Sequence, residues 1–160
     1  MANGRLLDRS PELARLEAAW GAARRGRAQL VVMWGRRRVG KTFLLSHFVR
    51  GKRAVFFGAT QQAEAVELGR LADAVRRDLG DRVVDLAGGT FASWEAALRF
   101  LAALAAAEPL AVVLDEVPYL ARSTPGFASV VQTVWDHLGR PTRLLLVLTG
   151  SAIGTIEDML

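Results

Sequence analysis

One eight-residue segment, Gly35–Thr42, constrains the fold of this chain more than any other feature of its sequence. It reads G-R-R-R-V-G-K-T and fits the pattern G-x-x-x-x-G-K-[ST]. An apolar, β-rich run, Gln29–Trp34, precedes it, and a run with helical spacing of apolar residues, Lys41–Arg50, follows it. A buried strand, a glycine-bounded loop and a helix in this order predict a phosphate-binding loop.

Each part of this loop has a physical reason. Glycines let the backbone curl so that its N–H groups converge on phosphate oxygens, and the helix N-terminus adds its positive end. The Lys41 ammonium would neutralise β- and γ-phosphates, and the Thr42 hydroxyl is placed to ligate Mg²⁺. A glycine-rich turn without a nucleotide is the alternative. The candidate nucleotide-binding residues of this region are Gly35, Arg36, Arg37, Arg38, Val39, Gly40, Lys41, Thr42 and Phe43.

The three arginines inside the loop leave two interpretations open. They occupy its variable positions, so they fit a solvated basic face equally well as a contact with the nucleotide or a partner.

The second signal is a pair of acidic residues that follows an apolar strand. Leu110–Leu114 is entirely apolar and is followed by Asp115 and Glu116. Such a strand would deliver Asp115 beside the phosphate loop, where it could hold Mg²⁺, and would place Glu116 where a carboxylate polarises an attacking water. This is a Walker B pattern; the alternative is a strand that merely ends at an acidic turn.

The alternation of short apolar strands with helices predicts an α/β fold with a parallel sheet covered on both faces. We expect one P-loop NTPase domain over residues 1–160, a three-layer αβα sandwich with strand order 1-4-3-2. The predicted strands are 29–34, 54–58, 110–114 and 144–149. The predicted helices are 9–23, 41–50, 63–79, 93–107, 127–138 and one that starts at 153.

The end of the fourth strand is a further candidate. In this strand order it lies between the phosphate loop and Asp115, so Thr149 or Ser151 could hydrogen-bond a phosphate or the attacking water. Equally, Gly150 and Ser151 could simply begin a helix.

Composition excludes several classes of function. The chain has no Cys and two distant His, His47 and His137, which excludes a disulfide scaffold and a Cys-based zinc site. No targeting or membrane-spanning segment is visible, so we expect a cytoplasmic protein without membrane contact. Residues 1–53 carry 13 Lys and Arg against 3 Asp and Glu, whereas residues 54–160 carry 8 against 13. The positive part favours an anionic ligand.

Several motifs together resemble a known family, the prokaryotic, archaeal-type ATPases of the STAND/AAA+-like P-loop class. The resemblance covers nearly the whole chain. It is carried by Asp8–Leu13 (D/G-R-x-x-E-L), Trp34–Thr42 (G-R-R-R-V-G-K-T), Phe56–Gln62, Phe91–Trp94 (F-x-S-W), Leu114–Leu120 (L-D-E-F-P-Y-L), the S-x-x-Q-x-x-W-D helix with Ser129, Gln132, Trp135 and Asp136, and Leu148–Ser151.

The resemblance implies ATP and Mg²⁺ as cofactors, with Thr42 and Asp115 on the metal and Lys41 and Glu116 as catalytic residues. It implies a polar sensing role for Ser151 and places Arg9 near the adenine, although an ion pair with Glu12 at a helix start is the alternative. Trp94, Tyr119 and Trp135 are expected to be packing residues.

The family pattern continues beyond this sequence, through a fifth strand, a helical lid and a C-terminal effector domain. We therefore expect the fifth strand and lid to be absent and the strand 29–34 to be an open sheet edge.

Three functions are compatible with the sequence: hydrolysis of Mg-ATP, nucleotide binding without turnover as an interaction module, and nucleic-acid binding. The last would use the basic residues Arg24, Arg25, Arg27, Arg50, Lys52 and Arg53.

Overall fold

A computed structural model of the chain describes residues 9–35, 40–83, 89–138 and 141–151. Its strands are β1 (Gln29–Trp34), β2 (Ala54–Gly58), β3 (Leu110–Asp115) and β4 (Leu144–Gly150). Its helices are α1 (Ser10–Arg24), α2 (Lys41–Phe48), α3 (Glu64–Leu79), α4 (Trp94–Ala107), α5 (Val117–Ser123) and α6 (Phe127–Asp136), with a 3₁₀ turn at Asp81–Val83.

The strands form one parallel sheet in the order β1-β4-β3-β2. This confirms the predicted fold class and strand order. All strands run in the same direction, so their carboxyl ends share one edge of the sheet, the carboxyl edge. The loops that lead into the strands share the opposite edge, the amino edge.

Alternation along each strand divides the core between the two faces of the sheet. On β3, Val112 and Leu114 face one cluster while Ala111 and Val113 face the other. The first cluster is covered by α3, α4, α5 and α6, and the second by α1 and α2. Strands β3 and β4 are buried over their whole length because helices cover both faces.

The aromatic residues expected to be structural lie in or against the core. Trp94 is 1% exposed and packs between Phe57 and Phe127, with ring centroids 6.0 and 5.4 Å away. Tyr119 and Trp135 pack against the same cluster from its margin. Ser93 caps α4, as its spacing predicts, by accepting a hydrogen bond from the Ala96 N–H at 3.1 Å.

Some local details differ from the predicted elements. The first helix, predicted to begin at residue 9, begins at Ser10, and Arg9 occupies the capping position. Helix α5 was not predicted at all: it occupies seven residues directly after β3. The helix expected from residue 153 and the loop residues 36–39 lie outside the described residues.

The two edge strands differ in how their free backbone groups are used. On β2, the Phe56 N–H donates to Asp78 Oδ2 at 2.8 Å and the Phe56 carbonyl accepts from Arg77 at 2.8 Å. Side chains of α3 thus cover this edge. Among the described residues, strand β1 pairs with β4 on one side, and its residues are half-buried or exposed.

Candidate functional site

The candidate site begins where β1 meets α2. Gly40 has φ 81° and ψ 17°, a left-handed conformation that suits glycine, and its carbonyl accepts the first helical bond from Leu44 at 2.9 Å. At the other end of the loop, the Gly35 N–H donates to the Gly150 carbonyl at 3.3 Å. The loop is therefore anchored to both α2 and the end of β4.

Lys41 is the first residue of α2 and is only 7% exposed. Its ammonium donates to the Gly35 carbonyl at 2.8 Å, which brings the charge back across the loop. Arg36, Arg37, Arg38 and Val39 lie outside the described residues. A buried lysine at the start of a helix, held against the Gly35 carbonyl, provides positive charge beside the helix N-terminus, where a phosphate would lie.

Thr42 and Asp115 meet although 73 positions separate them in the sequence. The Thr42 hydroxyl donates to Asp115 Oδ2 at 2.8 Å. Asp115 is the last residue of β3 and is 7% exposed. The two residues predicted as metal ligands are therefore in direct contact at the carboxyl edge.

Thr149 holds the other oxygen of the same carboxylate. It is fully buried on β4, and its hydroxyl donates a short hydrogen bond to Asp115 Oδ1. The Glu116 N–H approaches both groups, at 3.1 Å from Asp115 Oδ1 and 3.3 Å from Thr149 Oγ1. Thr149 therefore fixes the orientation of Asp115 and the backbone that follows it.

Glu116 has the backbone conformation of a strained residue. At φ 59° and ψ 46° it is the only residue other than glycine with positive φ in the described part of the chain. This conformation costs roughly 1–2 kcal/mol in an L-residue with a Cβ. Strained residues of this kind concentrate at functional sites.

The Glu116 carboxylate is already engaged by the end of β4. Ser151 donates from its hydroxyl to Glu116 Oε2 at 3.1 Å. Ser151 thus contacts the candidate base. The predicted sensing residue and the predicted catalytic base form one hydrogen-bonded pair.

The donors in this site fit Mg²⁺. A hydroxyl and a carboxylate, Thr42 and Asp115, are oxygen ligands of the kind that Mg²⁺ shares with phosphates and water. In the described ranges there is no group of three or more His, Cys, Asp and Glu that could form a metal cage. A magnesium ion here would therefore depend on phosphate oxygens to complete its coordination.

The remaining predicted residues are less closely connected. Arg9 lies 3.7 Å from Glu12 in the ion pair that was the alternative to an adenine contact. Phe43 is 45% exposed in the first turn of α2, so its ring is available beside the loop.

A polar cluster beside the site was missed by the sequence reasoning. Glu67, fully buried on α3, accepts from the Thr60 N–H and hydroxyl at 3.0 and 2.5 Å and from Arg70 at 2.9 Å. The Ala59 N–H, just before this turn, donates to the Asp115 carbonyl at 2.9 Å. This cluster braces the exit of β2 against the strand that carries Asp115. The sequence signal that could have found it is the spacing of Glu67, four and eight residues before Leu71 and Val75, which places an acidic residue on the apolar face of a predicted helix.

Within the described ranges, no helix has both the length and the apolar character required to cross a membrane.

Comparison with known sequences gives a family match over almost the entire chain. The sequence model of a family described as an ATPase domain predominantly from Archaea matches residues 6–160. An uncharacterised protein of Methanocaldococcus jannaschii is 26% identical over 130 residues, which cover 81% of this chain and 26% of that protein.

Solved structures share the fold. A Walker-type ATPase of Pyrococcus abyssi superposes with a TM-score of 0.71 at 22% identity, covering 95% of this chain and 47% of that one. The Orc1 protein of Aeropyrum pernix, solved in complex with DNA, gives 0.62 at 22% identity, covering 94% and 40%. Cdc6p of Pyrobaculum aerophilum gives 0.62 at 19% identity, covering 94% and 40%. The chain spans less than half the length of each of these proteins.

Proposed function

Because this chain belongs to the family of ATPase domains found predominantly in Archaea, we propose that it binds Mg-ATP at the carboxyl edge and hydrolyses it. The observation that carries the proposal is the 2.8 Å contact between the Thr42 hydroxyl and Asp115 Oδ2. It joins the phosphate loop to the acidic strand end, the two parts that a magnesium–nucleotide site requires.

The residues of the loop bind and orient the phosphates. The N-terminus of α2 directs its free N–H groups at them, and Lys41 transfers its ammonium from the Gly35 carbonyl to the phosphate oxygens. The proposed nucleotide contacts are made by Gly35–Phe43 and by Arg9, which would lie near the adenine. Thr42 and Asp115 hold Mg²⁺, which when bound neutralises part of the phosphate charge.

Glu116 is the proposed general base. Its carboxylate accepts a proton from the water that attacks the γ-phosphorus, and ATP and water yield ADP and inorganic phosphate. The hydrogen bond from Ser151 orients the carboxylate, and Thr149 orients the peptide that carries it. Coupling of hydrolysis to a C-terminal effector domain or a partner protein belongs to the same proposal.

A second candidate is nucleotide binding without turnover, as an interaction module. It is favoured by the engagement of both reactive groups: Lys41 binds the Gly35 carbonyl and Glu116 binds Ser151. In this function the site would bind Mg-ATP, but the proton acceptor would stay occupied.

Thermal unfolding with and without Mg-ATP tests the proposal. A ligand at about 100 times its Kd stabilises the folded state by about 2.7 kcal/mol. For a domain of this size the Tm should rise by roughly 5–10 °C. Lys41→Ala should abolish the rise because it removes the phosphate-neutralising ammonium. A rise of equal size in the variant would contradict the proposed binding mode. Replacing Mg-ATP with Mg-GTP tests whether the site prefers adenine to guanine.

Phosphate release then separates the two candidates. Glu116→Gln should retain the Mg-ATP shift, because the amide is nearly isosteric, while hydrolysis falls by about 100-fold or more. If the unaltered chain hydrolyses ATP no faster than this variant, binding without turnover is the correct function.

A further inference from the structure

The amino edge collects positive charge at the end of the sheet opposite the nucleotide site. Helices α1 and α2 lie side by side on one face of the sheet, and both end at this edge before leading into β1 and β2. Their last turns and the following loops carry six cations: Arg24, Arg25, Arg27, Arg50, Lys52 and Arg53.

Two of these cations serve the fold. Lys52 bonds Glu17 Oε1 at 2.9 Å and the Phe48 carbonyl at 2.7 Å, and it lies 4.3 Å from the centroid of the Phe48 ring. Arg53 donates to the Leu104 carbonyl at 3.3 Å and pairs with Glu108 at 3.5 Å. Both cations therefore cap the carboxyl ends of helices, where positive charge is favourable.

Among the described residues, none of the other four arginines bonds a helix carbonyl through its side chain, although Arg24 lies in the last turn of α1. Arg24, Arg25, Arg27 and Arg50 are exposed, and in the part of the chain that the structure describes none has an ion pair or a side-chain hydrogen bond. We call these four residues the basic edge. Glu17 and Glu108 pair with Lys52 and Arg53 instead.

Among the described residues, no exposed large hydrophobic side chain lies beside the basic edge. The exposed large hydrophobic side chains among the described residues are Trp34, Phe43 and Val66, and each lies towards the carboxyl edge. Protein interfaces derive most of their binding energy from a few Trp, Tyr and Arg side chains that are fully desolvated in well-packed pockets, and in the described part of the chain the exposed arginines here have no exposed large apolar side chain around them to form one. A phosphodiester backbone is bound by cations alone, and arginine matches its oxygens with a planar fork of donors.

We propose that the basic edge binds the phosphate backbone of a nucleic-acid duplex, without sequence preference and independently of the nucleotide site. The two sites lie at opposite ends of the strands, so both can be occupied at once. The recognised chemistry is a row of phosphodiesters, which DNA and RNA duplexes share.

Fluorescence anisotropy with labelled DNA and RNA duplexes, in the absence of nucleotide, tests this proposal. If all four arginines neutralise phosphates, log K falls with log salt concentration with a slope of about −3.6. Affinity then drops about 100-fold between about 50 and 200 mM salt. The DNA and RNA arms show which duplex binds more tightly.

A charge-matched pair of variants locates the binding surface. Arg24→Gln with Arg27→Gln should reduce the slope by about 1.8, because two phosphate contacts are lost. Arg15→Gln with Arg122→Gln removes the same net charge from exposed arginines on α1 and α5, away from the basic edge, and should leave the slope unchanged. Equal effects of the two variants would show only a general charge effect and would overturn the proposal.

Three further results would also overturn it. Absence of duplex binding at low salt would identify the basic edge as a solvated surface only. Displacement by Mg-ATP would place the duplex at the phosphate loop. Equally tight binding of poly-glutamate would indicate an acidic protein partner. Lys41→Ala should leave duplex binding intact, so failure of the nucleotide proposal and failure of this one are distinguishable.

Discussion

The two edges of the sheet use their polar side chains in opposite ways. At the carboxyl edge the side chains bond one another: Thr42 and Thr149 hold the two oxygens of Asp115, and Ser151 holds Glu116. At the amino edge, three cations outside the basic edge bond the backbone. Lys52 caps α2, while Arg53 and Arg143 cap α4 at the Leu104 and Ala107 carbonyls.

This difference separates groups that complete the fold from groups that await a ligand. A helix-end carbonyl that accepts a hydrogen bond from a cation already has its partner, so this arrangement stabilises the fold without a ligand. The carboxyl edge instead holds a buried lysine, a buried carboxylate and a strained glutamate close together. Strain and buried charge reduce stability, so their retention at one place points to a functional requirement.

The largest effect that tests this contrast is expected at Thr149. Thr149→Val preserves the shape but leaves Asp115 Oδ1 with one donor fewer in a buried site. We expect a loss of about 1–3 kcal/mol of unfolding free energy. We also expect the apparent affinity for Mg²⁺ to fall by about 10–100-fold, since Thr149 supports the carboxylate that would hold the metal. Urea unfolding and a magnesium titration of ATP-induced stabilisation measure the two effects.

Thr149→Ser provides the control because it restores the hydroxyl. It should restore the affinity for Mg²⁺, although the core loses one methyl group. If Thr149 had only a structural role, both variants would be less stable than the unaltered chain, but their affinity for Mg²⁺ would be unchanged.

A smaller effect is expected at Glu116, where one substitution should be more stable than another. Glu116→Gly and Glu116→Ala both remove the carboxylate, but only glycine relieves the left-handed backbone. We expect the glycine variant to be more stable than the alanine variant by about 1 kcal/mol. Denaturant unfolding of the pair measures this difference.

A matched glycine substitution in a helix calibrates the result. Ala103 is exposed in the middle of α4, and Ala103→Gly should destabilise the chain by about 1 kcal/mol. If alanine at 116 proves as stable as glycine, the backbone there carries no strain and this part of the contrast fails.

Most of the fold and part of the site could be predicted from the sequence. The phosphate loop predicted the positions of β1 and α2, and the apolar run ending at Asp115 predicted β3. These predictions were possible because periodicity and turn residues are local signals. The confirmed order β1-β4-β3-β2 placed β4 beside both.

What could not be predicted depends on register and on short-range strain. Leu114 pairs with Leu148, and this register sets Asp115 beside Thr149. No local pattern specifies such an alignment between strands 34 positions apart. Helix α5 was missed because it has only seven residues and begins after a left-handed glutamate, a start that propensities disfavour.

The smallest effect is expected at the amino edge. Lys52→Met keeps the alkyl stem but removes the bonds to Glu17 and the Phe48 carbonyl and the charge over the Phe48 ring. The pair is partly exposed, so we expect a loss of roughly 0.5 kcal/mol, below the difference expected at Glu116. The loss should shrink at high salt, where exposed charges are screened.

Arg50→Met is the matched variant, because Arg50 is exposed and has no ion pair among the described residues. It should change stability by less than about 0.5 kcal/mol. Neither variant should alter the Mg-ATP shift, since their charges lie at the far end of the strands. A reduced shift in Lys52→Met would mean that the amino edge communicates with the nucleotide site through α2, the helix that connects the two.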